Sequence, residues 1–361
     1  MRKLLTAALC ALLIITSSLP AFAEGDSAET LSLKEAIDKA IAHSRVLRLA
    51  EYNIQLAQED RDAAAEKVEY IPTGEATPEA EQAFNNLVQK DLDLQAAKKD
   101  YQAQKDSIVI SVYQAYYGVL EAEATLDVAQ KALDQADLEY RATSLKNQFG
   151  GASKYEVEQK QNNLEAAKQS YTAAEKALAS AYEKLNQLVG LQPDERPVLT
   201  DKPVFSPLQI DSLDAEIARV LDASPTVWRA KEAITQAKIA LDIYSYSSTE
   251  AHTYKGMEIS VSKAEENAQA AKENAEQTVR SLYNSIQQLE ANHAALERKL
   301  AAAEETLRMT ELKYQYGRAS RLELLAAQSA AASCRQALLN NECQHAILVQ
   351  AFKTPWAYSG Q

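Results

Sequence analysis

The sequence predicts an all-α fold built as two tandem, long antiparallel coiled-coil hairpins. Three observations carry that expectation. Ala, Glu, Gln, Lys and Leu dominate, while Gly and Pro number only nine each in 361 residues, which is the profile of long coiled helices. One apolar stripe, from Ile108 to Tyr140, steps by four and three without an error. Finally, the turn Phe149-Gly150-Gly151-Ala152-Ser153 returns as Tyr316-Gly317-Arg318-Ala319-Ser320, so the chain repeats itself and must be read as a repeat first.

The repeat extends well beyond the turns. An offset of 180 pairs Leu33 with Leu213, Ile37 with Ile217, Ser44 with Ser224 and Ile54 with Ile234. Further along, an offset of 167 pairs Tyr116 with Tyr283, Leu133 with Leu300, Ala136 with Ala303 and Gly150 with Gly317. The second copy is therefore shorter by 13 residues between the two aligned blocks.

Taken in order, residues 1–23 read as a secretory signal. Arg2 and Lys3 precede the apolar run Leu4 to Leu19, and Ala21-Phe22-Ala23 is an A-x-A cleavage site ahead of Glu24. Leu9 before Cys10 does not suit lipidation. No other stretch approaches the roughly 20 apolar residues of a spanning helix. The first hairpin repeat occupies 24–189. It has a first helix over Ser32 to Tyr70, a breaker at Ile71 to Thr77, a descending helix from Pro78 to Gln148, the Gly turn and a returning helix. Residues 190–212 carry Pro193, Pro197, Pro203 and Pro207, which forbid a continuous helix, so this is an extended linker. The second repeat, 213–352, has the same order: a first helix from Leu213 to Tyr244, a breaker at Ser245 to Gly256, then descending helix, turn and return. Residues 353–361 form a tail. Ser224-Pro225 marks a kink in the second copy, and Ser44-Arg45 in the first lacks the proline, so a kink is expected in one copy only.

The descending seam comprises Ile108, Val112, Ala115, Val119, Ala122, Leu126, Ala129, Leu133, Ala136 and Tyr140. A strict 3.5-residue period held this long imposes a left-handed coiled coil. The returning helix answers with Leu164, Ala167, Tyr171, Ala174, Leu178, Ala181, Leu185 and Leu188. A second stripe, Ile110, Tyr113, Tyr117, Leu120, Ala124 and Val128, lies about half a turn away. A helix with two apolar faces needs more than one neighbour. The other hairpin or another protomer could cover the second face, and a homo-oligomer is expected.

Chemistry finds no foothold. His43, His252, His293 and His345 never stand at ligand spacing with Cys or carboxylates. There is no phosphate loop, nucleophile elbow or H-E-x-x-H, so neither an enzyme nor a cofactor or metal is expected. Cys334 and Cys343 are about 13 Å apart along a helix, too far for a disulfide, and read as free core thiols. The net charge of −13 argues against nucleic acid and anionic membrane surfaces as partners.

The tandem order, the Ser224-Pro225 step, the heptad helices and the paired aromatic-x-Gly turns resemble the TolC family of outer-membrane efflux ducts, over nearly all of the mature chain. The resemblance implies a trimer whose six hairpins close into a helical tunnel. It also implies a β-barrel inserted between the first and second helices of each repeat, and partners in a membrane-fusion-type adaptor and a membrane pump. Here the two breakers are too short for paired transmembrane strands of about 9–11 residues each, so the barrel is expected to be absent or vestigial. The expected location is the cell envelope: the outer membrane by resemblance, or an extracytoplasmic place in a cell without one.

By the same resemblance the turns are adaptor-docking tips, formed by Lys146, Phe149, Gly150, Gly151, Ser153 and Lys154 in one copy and Lys313, Tyr316, Gly317, Arg318, Ser320 and Arg321 in the other. Three cations and no acid fall in Arg141 to Lys154, and again in Leu312 to Leu322. A basic ring meeting an acidic partner is one reading; cations settled at helix C-termini is the other. The function expected is a passive exit duct or docking sleeve of an efflux system, with an exported coiled-coil spacer as the rival.

Overall fold

A computed structural model describes residues 30–71, 77–244 and 253–358. In chain order its helices are α1 (Leu33–His43), α2 (Arg45–Ala65), α3 (Pro78–Gln148), α4 (Lys154–Val189), α5 (Leu213–Ala223), α6 (Pro225–Asp242), α7 (Tyr254–Gln315) and α8 (Arg321–Lys353), followed by a 3-10 turn at Pro355–Ala357. Strands β1 (Thr30–Leu31) and β2 (Val198–Leu199) pair in parallel, and they are the only strands among the described residues. The expected leader and most of both breakers, residues 72–76 and 245–252, lie outside those residues.

The long helices set the frame. With 71 residues, α3 is roughly 105 Å long at ~1.5 Å per residue. Pro78 sits at the first position, where a missing N–H costs nothing, and Thr77 caps Ala80 N. The lower half of α3 packs antiparallel on α4, tied by Lys160 to Glu139 and Tyr182 to Glu123. Its upper half packs on α2, tied by Lys90 to Asp60 and Tyr101 to Glu51. In the second copy α7 packs on α8 and α6 in the same way. Every predicted seam residue of α3 and α4 is buried or half-buried, so the heptads lie where the pattern put them.

The second apolar face of α3 is covered from within the chain, because α8 packs directly on it. Tyr117 and Leu120 share a core with Cys343 and Ile347 at mid-height, and Ile110 joins Ile217, Val279 and Phe352 in an adjoining core. Both thiols are free; Cys343 is fully buried and Cys334 only partly.

The linker is extended but not loose. Thr200 N donates to Leu31 O, and Leu33 N donates to Asp201. Buried Tyr116 clamps both strands, its hydroxyl donating to Leu31 O at 2.9 Å and accepting from Asp201 N at 3.0 Å.

The expectation of one kink fails: both copies break. Ser44 (φ −59°, ψ 118°) ends α1 and starts α2, much as Ser224 (φ −63°, ψ 122°) ends α5 and starts α6. In each copy the serine side chain accepts from the backbone N–H three residues on, Leu47 or Val227. The cap makes the break; proline merely accompanies it in the second copy.

Ser44→Ala should therefore cost about 1 kcal/mol in chemical denaturation. Arg45→Pro, which copies the second repeat at a first-turn position, should be neutral or stabilising. Tyr116→Phe should cost about 1 kcal/mol in the same measurement, because it leaves the part-buried Asp201 N–H without its partner while Leu31 O keeps Thr200 N.

Candidate functional site

The two hairpin turns share one design. In the first, Gly150 takes φ 74°, and Gly151 N donates to Lys146 O at 2.8 Å. In the second, Gly317 takes φ 67°, and Arg318 N donates to Lys313 O at 2.7 Å. This is the left-handed cap that ends a helix while satisfying its last carbonyls, and it favours glycine. Gly151 is not so constrained: a Cβ there would meet only ordinary contacts, and the second copy carries Arg318 at the matching place. Each returning helix then starts on a capping box. Ser153 N donates to Glu156 at 2.6 Å and Glu156 N to Ser153 Oγ at 3.2 Å, and Ser320 with Glu323 repeats both distances.

The tips thus bring the expected residues together in two matching clusters. Phe149 and Tyr316 are 83% and 78% exposed, so each turn presents an aromatic ring to solvent. The charge pattern is more mixed than the sequence count suggested. Arg141 is tied to Asp137 at 2.8 Å, one turn back on its own helix. Glu156 and Glu323 lie just past each cation cluster; their carboxyls are held below the ordinary range by hydrogen bonds from Ser153 and Ser320, helped by Lys146 and Lys313. Lys154, Arg318 and Arg321 remain exposed.

Two buried polar clusters went unread in the sequence. Phe205 of the linker stacks on His293 with centroids 3.6 Å apart and leans on His345 at 4.8 Å. His293 Nε2 lies 3.2 Å from Glu342, and His345 Nε2 lies 3.2 Å from Glu290, which also accepts from Leu208 N at 2.6 Å. On the first hairpin, Asn186 donates to the linker carbonyls of Gln192 and Glu195, and Arg196 lies over the Tyr182 ring. Both clusters fasten the linker. No local signal announces them, because Phe205 and His293 meet only through the tertiary fold. Among the described residues no group of three or more His, Cys, Asp or Glu is placed to hold a metal, and no helix is long and apolar enough to cross a membrane.

Residues 218–354 match the family profile described as outer membrane efflux protein. Solved structures align along almost the whole length. The outer-membrane channel OprN superposes with TM-score 0.64 at 16% identity, covering 90% of this chain and 91% of its own. CusC, a transmembrane channel, gives 0.62 at 18%, covering 91% and 92%. The CmeC outer-membrane channel of Campylobacter jejuni gives 0.63 at 15%, covering 89% and 85%.

This is the TolC-family fold.

No curated relative matches the sequence. The family profile falls on the second repeat, and the internal repeat together with the superpositions extends the TolC-like architecture to the first. These three solved structures are described as channels; in this chain the buried polar groups fasten one segment to another.

A half-buried carboxyl, Glu121, lies on the seam between hairpins. Burial raises the pKa of Glu121, opposed by a hydrogen bond from Gln344. A carboxyl raised in the folded state favours folding while protonated, and that advantage is lost as pH climbs through the folded value. Glu121→Gln should therefore raise the melting temperature at pH 7 and change it little at pH 4, as read by thermal unfolding.

Proposed function

We propose that this chain is a passive exit duct or docking sleeve of an efflux system in the cell envelope, with energy supplied by a separate pump. The observation that carries the reading is the pair of matching tips, each with an exposed aromatic ring, cations and a rigid capped turn. Rigid tips at the ends of long coiled hairpins suit end-on docking, since little ordering entropy is lost when a partner binds. The partner proposed is a membrane-fusion-type adaptor bearing acidic and apolar groups. A homotrimer, closing six hairpins into a tube, is proposed from the likeness to TolC-family channels.

We also propose that the chain makes no membrane barrel of its own. Each repeat has only about a dozen residues between its upper helices, 66–77 and 243–253. Two crossing strands and a turn need roughly 20 or more. Location in the outer membrane or elsewhere outside the cytoplasm follows the family likeness. One observation favours a monomeric spacer instead: the second apolar face of α3 is satisfied inside the chain.

Reversing the tip charges with Lys154→Glu and Arg318→Glu should weaken adaptor binding about tenfold at low salt, chiefly through the association rate. Surface plasmon resonance reads this directly. Unchanged affinity would sink tip docking.

A further inference from the structure

Along the upper half of α3, the neighbouring α6 does not close on it completely. A cavity of about 350 Å³ lies between them, with Arg61 of α2 also lining it, and that is room enough for a small organic molecule. Its walls do not match. The α3 side is apolar, formed by half-buried Phe84, Leu87, Val88 and Leu92. The α6 side is polar over Glu232, Thr235 and Gln236, with Ile239 one turn further on. In the first repeat, the offset of 180 places Tyr52 and Leu56 where α6 has Glu232 and Gln236. The polar wall is therefore particular to α6 and is not a rule of the upper helices.

The charges around the cavity leave one group unanswered. Arg61 is held by Asp62 at 3.0 Å and by Asp91 at 3.6 Å. Arg229, one turn before Glu232, pairs with Asp100, and Lys231 reaches Asp222 at 3.5 Å. Gln236 donates its amide to Gln89. Glu232 is half-buried and has no ion pair or hydrogen bond among the described residues. A carboxylate partly kept from water beside an apolar wall calls for a cation that carries an apolar body. A bare metal ion would leave the apolar wall uncovered, a neutral hydrocarbon would leave the carboxylate unpaired, and an anion would be repelled. We propose that this cavity binds an amphipathic organic monocation, its ammonium on Glu232 and its apolar part against Phe84, Leu87 and Val88. The site belongs to a single chain and needs neither self-assembly nor a partner at the tips, so its test is separate from that of the duct. A bound cation joins α6 to α3 and stabilises the folded chain in step with its affinity.

Two probes of matched shape and opposite charge test the site: benzyltrimethylammonium and phenylmethanesulfonate. Tetramethylammonium supplies the charge without the apolar body. In a ligand-observed NMR titration of the full chain, benzyltrimethylammonium should saturate one site per chain and raise the melting temperature. The other two should bind at least about tenfold more weakly. Glu232→Gln keeps the side-chain shape, removes its charge and should weaken benzyltrimethylammonium binding about tenfold. Leu87→Trp, which fills the cavity, should abolish binding, while Glu183→Gln on the exposed face of α4 should leave it unchanged. Equal binding of the two matched probes would reduce the cavity to an unselective crevice and overturn the proposal. Affinity unchanged in Glu232→Gln, or no binding at all, would overturn it as well. Should Leu87→Trp fail to fold, Glu232→Gln decides alone.

Discussion

α3 is apolar on two faces, and a helix so patterned cannot stand with a single neighbour in water. Its Val112–Val119 face closes on α4, while its Tyr117–Leu120 face closes on α8. That second contact joins two hairpins that would otherwise be separate rods. Alanine is frequent along the seams below mid-height, so large side chains concentrate where α1, α3, α4 and α8 converge. The molecule is held together at its middle, and its two ends project from that girdle.

The linker completes the girdle. It leaves α4 over Asn186, passes Tyr116 and β1, and reaches the second hairpin where Phe205 stacks on His293 and Leu208 N meets Glu290. Buried polar groups need partners, and most of those here are supplied by linker backbone or by the facing helix. Glu123 and Glu290 occupy equivalent positions in the two copies, one bonded to Tyr182 and the other to His345. Their partners differ while the task is shared. Such a waist fixes the two hairpins to each other at mid-height, away from the tips.

The tips show how little sequence a rigid turn requires. One glycine of positive φ, a serine and a glutamate three residues later fix each of them. The remaining tip positions are free to carry recognition chemistry, and they hold Phe149 and Tyr316, Lys154 and Arg321.

Much of this was legible in the residues. The bounds of α3, the seam of α3 with α4, the Gly turns and the doubled architecture follow from periodicity and repetition, which are local or near-local properties. The break at Ser44 was misread, because proline was taken as its cause when the serine cap is sufficient. The second stripe of α3 announced that a neighbour was needed and could not say which, since hydrophobic burial is non-directional. Only the tertiary fold chose α8. It alone brought Phe205 to His293 across the chain, and it alone set the polar face of α6 beside an apolar face of α3. Periodicity tells which side of a helix must be covered; what covers it depends on where distant segments come to lie.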